Sequence, residues 1–217
     1  MMPQLDKDTA AKLNLHIKFL KESLFFEPQS ATLHYNLGVA YAPKGQIEEA
    51  LSELKQAVEC DPNLTQAHIN LGWLHLRKGN LEACIEANLR AVELDPGLHM
   101  AHGNLGVAYL QQGQYEKAIA SSSRAMELMP GSAQAYNTLS AAYLHTGNSQ
   151  GCVEASRAVL ELNPNYAPAH HNLAVALRME GRLQEARAHF DKAVSLGYPV
   201  DPEVAADWSN LPVEESA

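Results

Sequence analysis

The chain holds only three cysteines, Cys60, Cys84 and Cys152, with no CxxC pair among them. An odd, scattered set is neither a disulfide framework nor a cysteine-rich zinc site. No apolar run approaches the roughly 18 residues that a membrane-spanning helix requires. Basic residues are outnumbered: 16 Lys and Arg stand against 25 Asp and Glu, for a formal charge of −9. A duplex-binding protein displaces counterions with a basic stripe, and none is visible, so no nucleic-acid partner is expected. The opening Met1-Met2-Pro3-Gln4-Leu5-Asp6-Lys7-Asp8 lacks a hydrophobic signal core. Export by that route is not expected, and a cytoplasmic location is. No GxSxG elbow, no GxxxxGK loop and no HExxH pair occurs, so neither an enzyme nor a cofactor is expected. With 46% hydrophobic and 19% charged residues, the composition is nevertheless that of a folded chain.

What is present is a period of 34. Leucine precedes a small residue at Leu37-Gly38, Leu71-Gly72, Leu105-Gly106, Leu139-Ser140 and Leu173-Ala174. Glycine returns at 45, 79, 113, 147 and 181, and proline at 28, 62, 96, 130 and 164. Small residues return as Ala50, Cys84, Ala118, Cys152 and Ala186, and as Ala57, Ala91, Ala125, Val159 and Ala193. These columns define units 31–64, 65–98, 99–132, 133–166 and 167–200. Each unit predicts two helices. In 99–132 the first carries Leu105, Tyr109 and Leu110 and stops at Gly113, since glycine takes positive φ at little cost. The second carries Tyr115, Ala118, Ile119, Ala125, Met126 and Leu128 and closes at Pro130. No alternation of strand period interrupts the pattern.

The run His102-Gly103-Asn104-Leu105-Gly106-Val107-Ala108-Tyr109, with Gly113, Ala118, Ala125 and Pro130 after it, resembles the tetratricopeptide repeat signature. The resemblance covers about residues 29–200. It implies an all-α, right-handed superhelix of stacked antiparallel helix pairs, an α-solenoid, with first helices on the concave face and second helices on the convex one. A fold does not by itself name a function.

Several residues depart from the pattern. Pro43 should end the first helix of unit 31–64 early. Ser140, Ser149 and Gly151 weaken unit 133–166, and Gly151 inside its second helix should cost about 1 kcal/mol relative to alanine. Residues 1–30 predict a half-repeat: Leu13, Ile17, Leu20, Leu24 and Phe26 stand one period before Ile47, Leu51, Leu54, Val58 and Cys60, leaving Phe19 and Phe25 part-exposed. Residues 201–217 predict a short helix over 201–209, with Val204 and Trp208 facing the last repeat, and an acidic tail. All three cysteines are expected in the core, and Ser121-Ser122-Ser123 on the surface.

His34, His68, His102 and His170 share a column, with Tyr136 in the fourth place. Neighbouring helix axes sit roughly 8–10 Å apart, whereas zinc takes nitrogens at about 2.0–2.1 Å. No metal site is expected, and in the family resembled this column packs between helices. Asn36, Asn70, Asn104 and Asn172 form another column, broken by Thr138 with Asn137 beside it. A primary amide can bond both polar groups of a peptide backbone. The column resembles the asparagine ladder in the superhelix of O-linked N-acetylglucosamine transferase, whose catalytic domain has no counterpart here. Asparagines that only bond neighbouring helices are the alternative.

Tyr35, Ile69, Gly103, Asn137 and His171 form one turn of the same face, Val39, Trp73, Val107, Ala141 and Val175 the next, and Ala42, Leu76, Leu110, Leu144 and Arg178 the one after. Such a wall is largely apolar and lacks the regular Lys and Arg that clamp a carboxylate in other members of the family. Trp73 is a hot-spot residue type, with core burial as its alternative. The candidate partner-binding residues are therefore Asn36, Asn70, Trp73, Asn104, Val107, Leu110 and Asn172. The expected function is a non-enzymatic interaction module holding a protein or peptide segment. A homo-oligomeric scaffold built through residues 1–27, and a regulatory subunit of a separate enzyme, are the alternatives.

Overall fold

The computed structural model describes residues 6–210, and every regular element among them is helical. Helix α1 is Lys7–Phe26. Five helix pairs follow: α2 Ala31–Tyr41 with α3 Ile47–Cys60, α4 Thr65–Arg77 with α5 Leu81–Leu94, and α6 His99–Gln111 with α7 Tyr115–Leu128. The last two are α8 Ala133–His145 with α9 Ser149–Leu162, and α10 Ala167–Met179 with α11 Leu183–Ser195; α12 is Pro202–Ser209. The acidic pair Glu214 and Glu215 of the expected tail lies outside the described residues.

The chain divides into two compact units, residues 1–104 and 105–217. In the first, α1 packs on α2, α2 on α3, α3 on α4 and α4 on α5. Its core gathers Ile17 and Leu20 of α1, Leu37 and Tyr41 of α2, Leu51 and Leu54 of α3, and Leu71 and Leu74 of α4. In the second, α7 packs on α8, α8 on α9, α9 on α10 and α10 on α11, and the first helices α8 and α10 also meet. Its core joins Val153, Leu173, Leu177, Phe190 and Trp208.

Where the two helices of a pair cross, side-chain sizes are complementary. A methyl group on Gly72 would overlap the Asn88 amide, and one on Gly106 would overlap the Ser122 hydroxyl. Ser140 solves the same crossing with a hydroxyl, bonded to Ser156 at 2.6 Å. Ser122 is thus fully buried, not on the surface as its Ser-rich context predicts.

The turns obey the sequence. Pro43 ends α2 at Tyr41 and leaves a single 3-10 turn over Ala42–Lys44, so α2 has 11 residues where α4, α6, α8 and α10 have 13. Second helices stop at an extended residue before proline: Asp61, Asp95 and Asn163 have φ near −140 because proline disfavours α there. Their side chains accept from the N–H two residues on, at 3.0, 2.9 and 3.2 Å, forming Asx turns.

The histidine column does more than pack. Nε2 of His34, His68, His102 and His170 lies 3.2, 3.0, 3.1 and 3.0 Å from the carbonyl oxygens of Pro28, Pro62, Pro96 and Pro164. A carbonyl only accepts, so each Nε2 carries the proton. Each histidine pins its first helix to the turn six residues before it.

Four further expectations need correction. Phe26 is 80% exposed rather than in the core, because α1 ends there and the chain turns away through Glu27. Cys60 is only half-buried, with its thiol donating to Gln29. Val204 is exposed, while Trp208 is buried and stacks on Phe190 with centroids 4.4 Å apart. Gly151 is the third residue of α9, not an interior one, and its N–H donates to the N-cap Asn148 at 2.9 Å.

Candidate functional site

First helices place the candidate residues. Asn36, Asn70, Trp73 and Asn104 belong to the first unit; Val107, Leu110 and Asn172 belong to the second.

In the first unit, Asn70 is half-buried and donates to the Tyr35 hydroxyl at 3.4 Å. Asn36 is half-buried on α2. Trp73 is 38% exposed, so it is not a core residue, and the Arg77 guanidinium one turn on lies 4.9 Å from its ring centroid. That geometry is a cation–π contact. Asn104 is buried, and its amide donates to Asn88 Oδ1 at 3.2 Å. Asn88 in turn donates to the Cys84 carbonyl at 2.8 Å. Asn104 therefore bonds a neighbouring helix. Burial pushes the Cys84 thiol up to about 11, so it stays protonated and inert as a nucleophile.

The second unit holds a groove of about 550 Å³ over its first helices. Val107, Leu110 and Gln111 of α6 form one wall. Ala133, Gln134, Asn137 and Thr138 of α8 form the floor, and Asn163 and Tyr166 of the turn before α10 form the other wall. None of these nine side chains is ionisable near neutral pH: the lining is apolar carbon, side-chain amides, one threonine hydroxyl and one phenol. Among the described residues, Asn137 Oδ1 is buried and has no hydrogen-bond partner. A buried acceptor left unmet costs about 1–3 kcal/mol, a cost that any incoming N–H or O–H donor relieves.

The asparagine column and the groove overlap only at Thr138. Asn104, Thr138 and Asn172 are all at most 9% exposed, so in these three helices the column is buried, and of the three Thr138 alone also reaches the groove lining. Asn137 stands one residue earlier, rotated about 100° on the helix, and lines the groove. Val107 and Leu110 line it as well, whereas Asn172 is not among its lining residues. The sequence places Asn137 in the groove wall but not among the candidate contacts, and it does not single out Tyr166, Asn163, Gln111 and Gln134, which also line the groove. The signal available was the break at Thr138, where the amide moves to position 137.

Among the described residues, no group of three or more His, Cys, Asp or Glu is placed to hold a metal ion. No described helix is long and apolar enough to cross a membrane.

Comparison with known proteins gives the following. A TPR repeat model matches residues 41–79, and two tetratricopeptide repeat models match 65–98 with 133–166 and 87–120 with 157–188. A solved structure of MamA is 26% identical with a TM-score of 0.68, over 79% of this chain and 97% of that one. MamA from Desulfovibrio magneticus RS-1, residues 41 to its end, is 24% identical with a TM-score of 0.70, over 76% and 94%. YrrB, described as a TPR protein with an unusual peptide-binding site, is 19% identical with a TM-score of 0.75, over 88% and 98%. No curated protein sequence matches the chain. The three repeat models together span residues 41–120 and 133–188, on helix pairs that start every 34 residues at Ala31, Thr65, His99, Ala133 and Ala167. The chain belongs to the tetratricopeptide repeat family, an all-α fold that serves as a protein–protein interaction scaffold.

Proposed function

We propose that the chain is a non-enzymatic interaction module of five repeats, 31–64 to 167–200, that holds an extended, uncharged peptide segment on its first-helix faces. The groove over α6 and α8 is the principal contact. Val107 and Leu110 receive apolar side chains, Asn137 Oδ1 accepts a backbone N–H, and Tyr166 closes the opposite wall. Trp73 and Asn70 are the candidate contacts of the first unit taken by itself. The observation that carries the reading is the unpartnered Asn137 acceptor in a groove without charge. YrrB, of the same fold, is described as having a peptide-binding site.

One observation favours a second reading. Helix α1 uses Leu13, Ile17, Leu20 and Leu24 against the first unit, yet its opposite face leaves Leu15 70%, Phe19 60% and Phe26 80% exposed. Contiguous exposed apolar side chains of this kind mark association sites, and a homo-oligomer through α1 would cover them.

One set of variants separates the two. Peptides selected from a random library on the whole chain are titrated against the native protein, Val107→Asp, Asn137→Ala and Leu15→Ser/Phe19→Ser. Asn137→Ala should weaken binding roughly two- to tenfold, the range of one net hydrogen bond, and Val107→Asp should abolish it. The α1 variant should bind normally. Groove variants that bind like the native chain, with light scattering that drops to a smaller particle only for the α1 variant, would replace the first reading with the second.

A further inference from the structure

The turn that forms one wall of the groove is anchored by an unusual pair of histidines. His170 is 8% exposed. Its Nε2–H donates to the Pro164 carbonyl at 3.0 Å, between Asn163 and Tyr166 in sequence. With Nε2 protonated, neutral His170 has a bare Nδ1. That nitrogen lies 2.9 Å from Nδ1 of His189 on α11. Two like nitrogens share this bond only if His189 carries its proton on Nδ1 and donates.

We infer that the His170–His189 pair is an acid-sensitive latch, which releases the Pro164 turn and with it the Asn163–Tyr166 wall of the groove when the pair takes up a second proton. This is regulation of the groove proposed above and rests on that reading. A first proton enters at His189 Nε2 and leaves the shared bond intact. The second has only His170 Nδ1 to occupy. It sets N–H against N–H at 2.9 Å and two positive charges side by side, so the rings must part. Because the same His170 ring holds Pro164, its displacement loosens the wall.

The surroundings fix the direction. Burial, then the charge of His170 and that of Arg157 on α9, hold His189 below the ordinary histidine value of 6.5, while Glu185 on α11 opposes them weakly. Arg157 and Glu185 face one another at 3.8 Å. Among the described residues, α12 contributes Asp207, which is bound at 2.7 Å to Arg178 on α10, and α10 contributes His171, stacked on Tyr198. A histidine depressed in the folded state contributes stability at neutral pH that is lost as pH falls below the unfolded value. The first proton therefore enters on the acid side of about 6.5, and the opening, which needs a second proton beside it, lies further to the acid.

The same column supplies a control. At the equivalent place in the first unit, His34 Nε2 meets the Pro28 carbonyl and Nδ1 meets Glu53 Oε2 at 2.7 Å. Both are acceptors, so a protonated imidazole satisfies both. His189→Glu installs that arrangement at the last pair and should invert the response.

The thermal midpoint of the whole chain is followed from about pH 7.5 to about pH 4.5, together with amide resonances of residues 163–170. The native chain should lose roughly 2–4 °C more than His189→Glu over this range, and its 163–166 resonances should shift with the same pH course. Superimposable pH courses for the two proteins overturn the latch. Should the variant fold poorly, histidine nitrogen shifts in the native chain decide: a His170 that carries its proton on Nδ1 at pH 7.5 overturns it as well. Neither readout uses a peptide, so a failed latch is distinguished from a failed groove, which shows as unaltered peptide binding by Val107→Asp at pH 7.5.

Discussion

At the residue scale, position 151 shows how context reverses a propensity. Glycine within a helix is ordinarily unfavourable against alanine by about 1 kcal/mol. Here the residue sits in the first turn of α9, and Asn148 reaches over it to cap its N–H. A methyl group at 151 would lie 2.9 Å from Asn148 Nδ2 and 3.0 Å from Tyr143 Cδ2. The amide can move only by giving up the cap, which contributes about 0.5–2 kcal/mol, and the tyrosine ring is held in the core cluster of its unit. Gly151→Ala should therefore be neutral to destabilising by about 1 kcal/mol in urea unfolding. A gain in stability would mean that the cap and ring relax freely. The same logic holds at Gly72, where the Asn88 amide fills the space a side chain would need.

At the element scale, the sequence made the helices and their turns legible, because glycine, proline and leucine columns recur at fixed offsets. Pro43 shortening α2 was readable from proline chemistry alone. The histidine column was legible as a column but not as a clasp, since a side chain's reach to a carbonyl six residues back is set by turn geometry that no propensity encodes. Its energetic role can be measured. His68→Phe keeps the ring volume and removes the donor to Pro62, a bond that is solvent-exposed in the native chain. The expected loss is about 0.5–1.5 kcal/mol, that of a net hydrogen bond, with helical content unchanged by circular dichroism. A chelator should leave the unfolding midpoint where it was, since a bound structural ion would contribute folding free energy. A midpoint that falls on chelation would reassign the column to metal binding.

At the scale of the whole molecule, the candidate site was half legible. The apolar residues Val107 and Leu110 follow from periodicity, because a residue facing neither the partner helix nor open solvent must line a groove. The amides were harder to place, because a 34-residue column of asparagines looks uniform in sequence while each helix packs against different neighbours. At Asn104 the deciding neighbour is Asn88, a residue on α5 that the column itself cannot reveal. The chain's net charge of −9 invites an electrostatic account of partner choice, and the groove argues against one. Its lining carries no charge, and exposed charges beyond a Debye length of about 10 Å at 0.1 M salt are screened. Binding that depends on neutralising a charged ligand weakens steeply as salt rises, whereas burial of apolar area does not, and salts excluded from the surface strengthen it. Peptide affinity for the native chain should thus change by less than about twofold when ionic strength is raised tenfold from 0.05 M. Isothermal titration at both ionic strengths checks this. A loss of tenfold or more would place the contact on the acidic surface outside the groove, with a basic peptide as its partner.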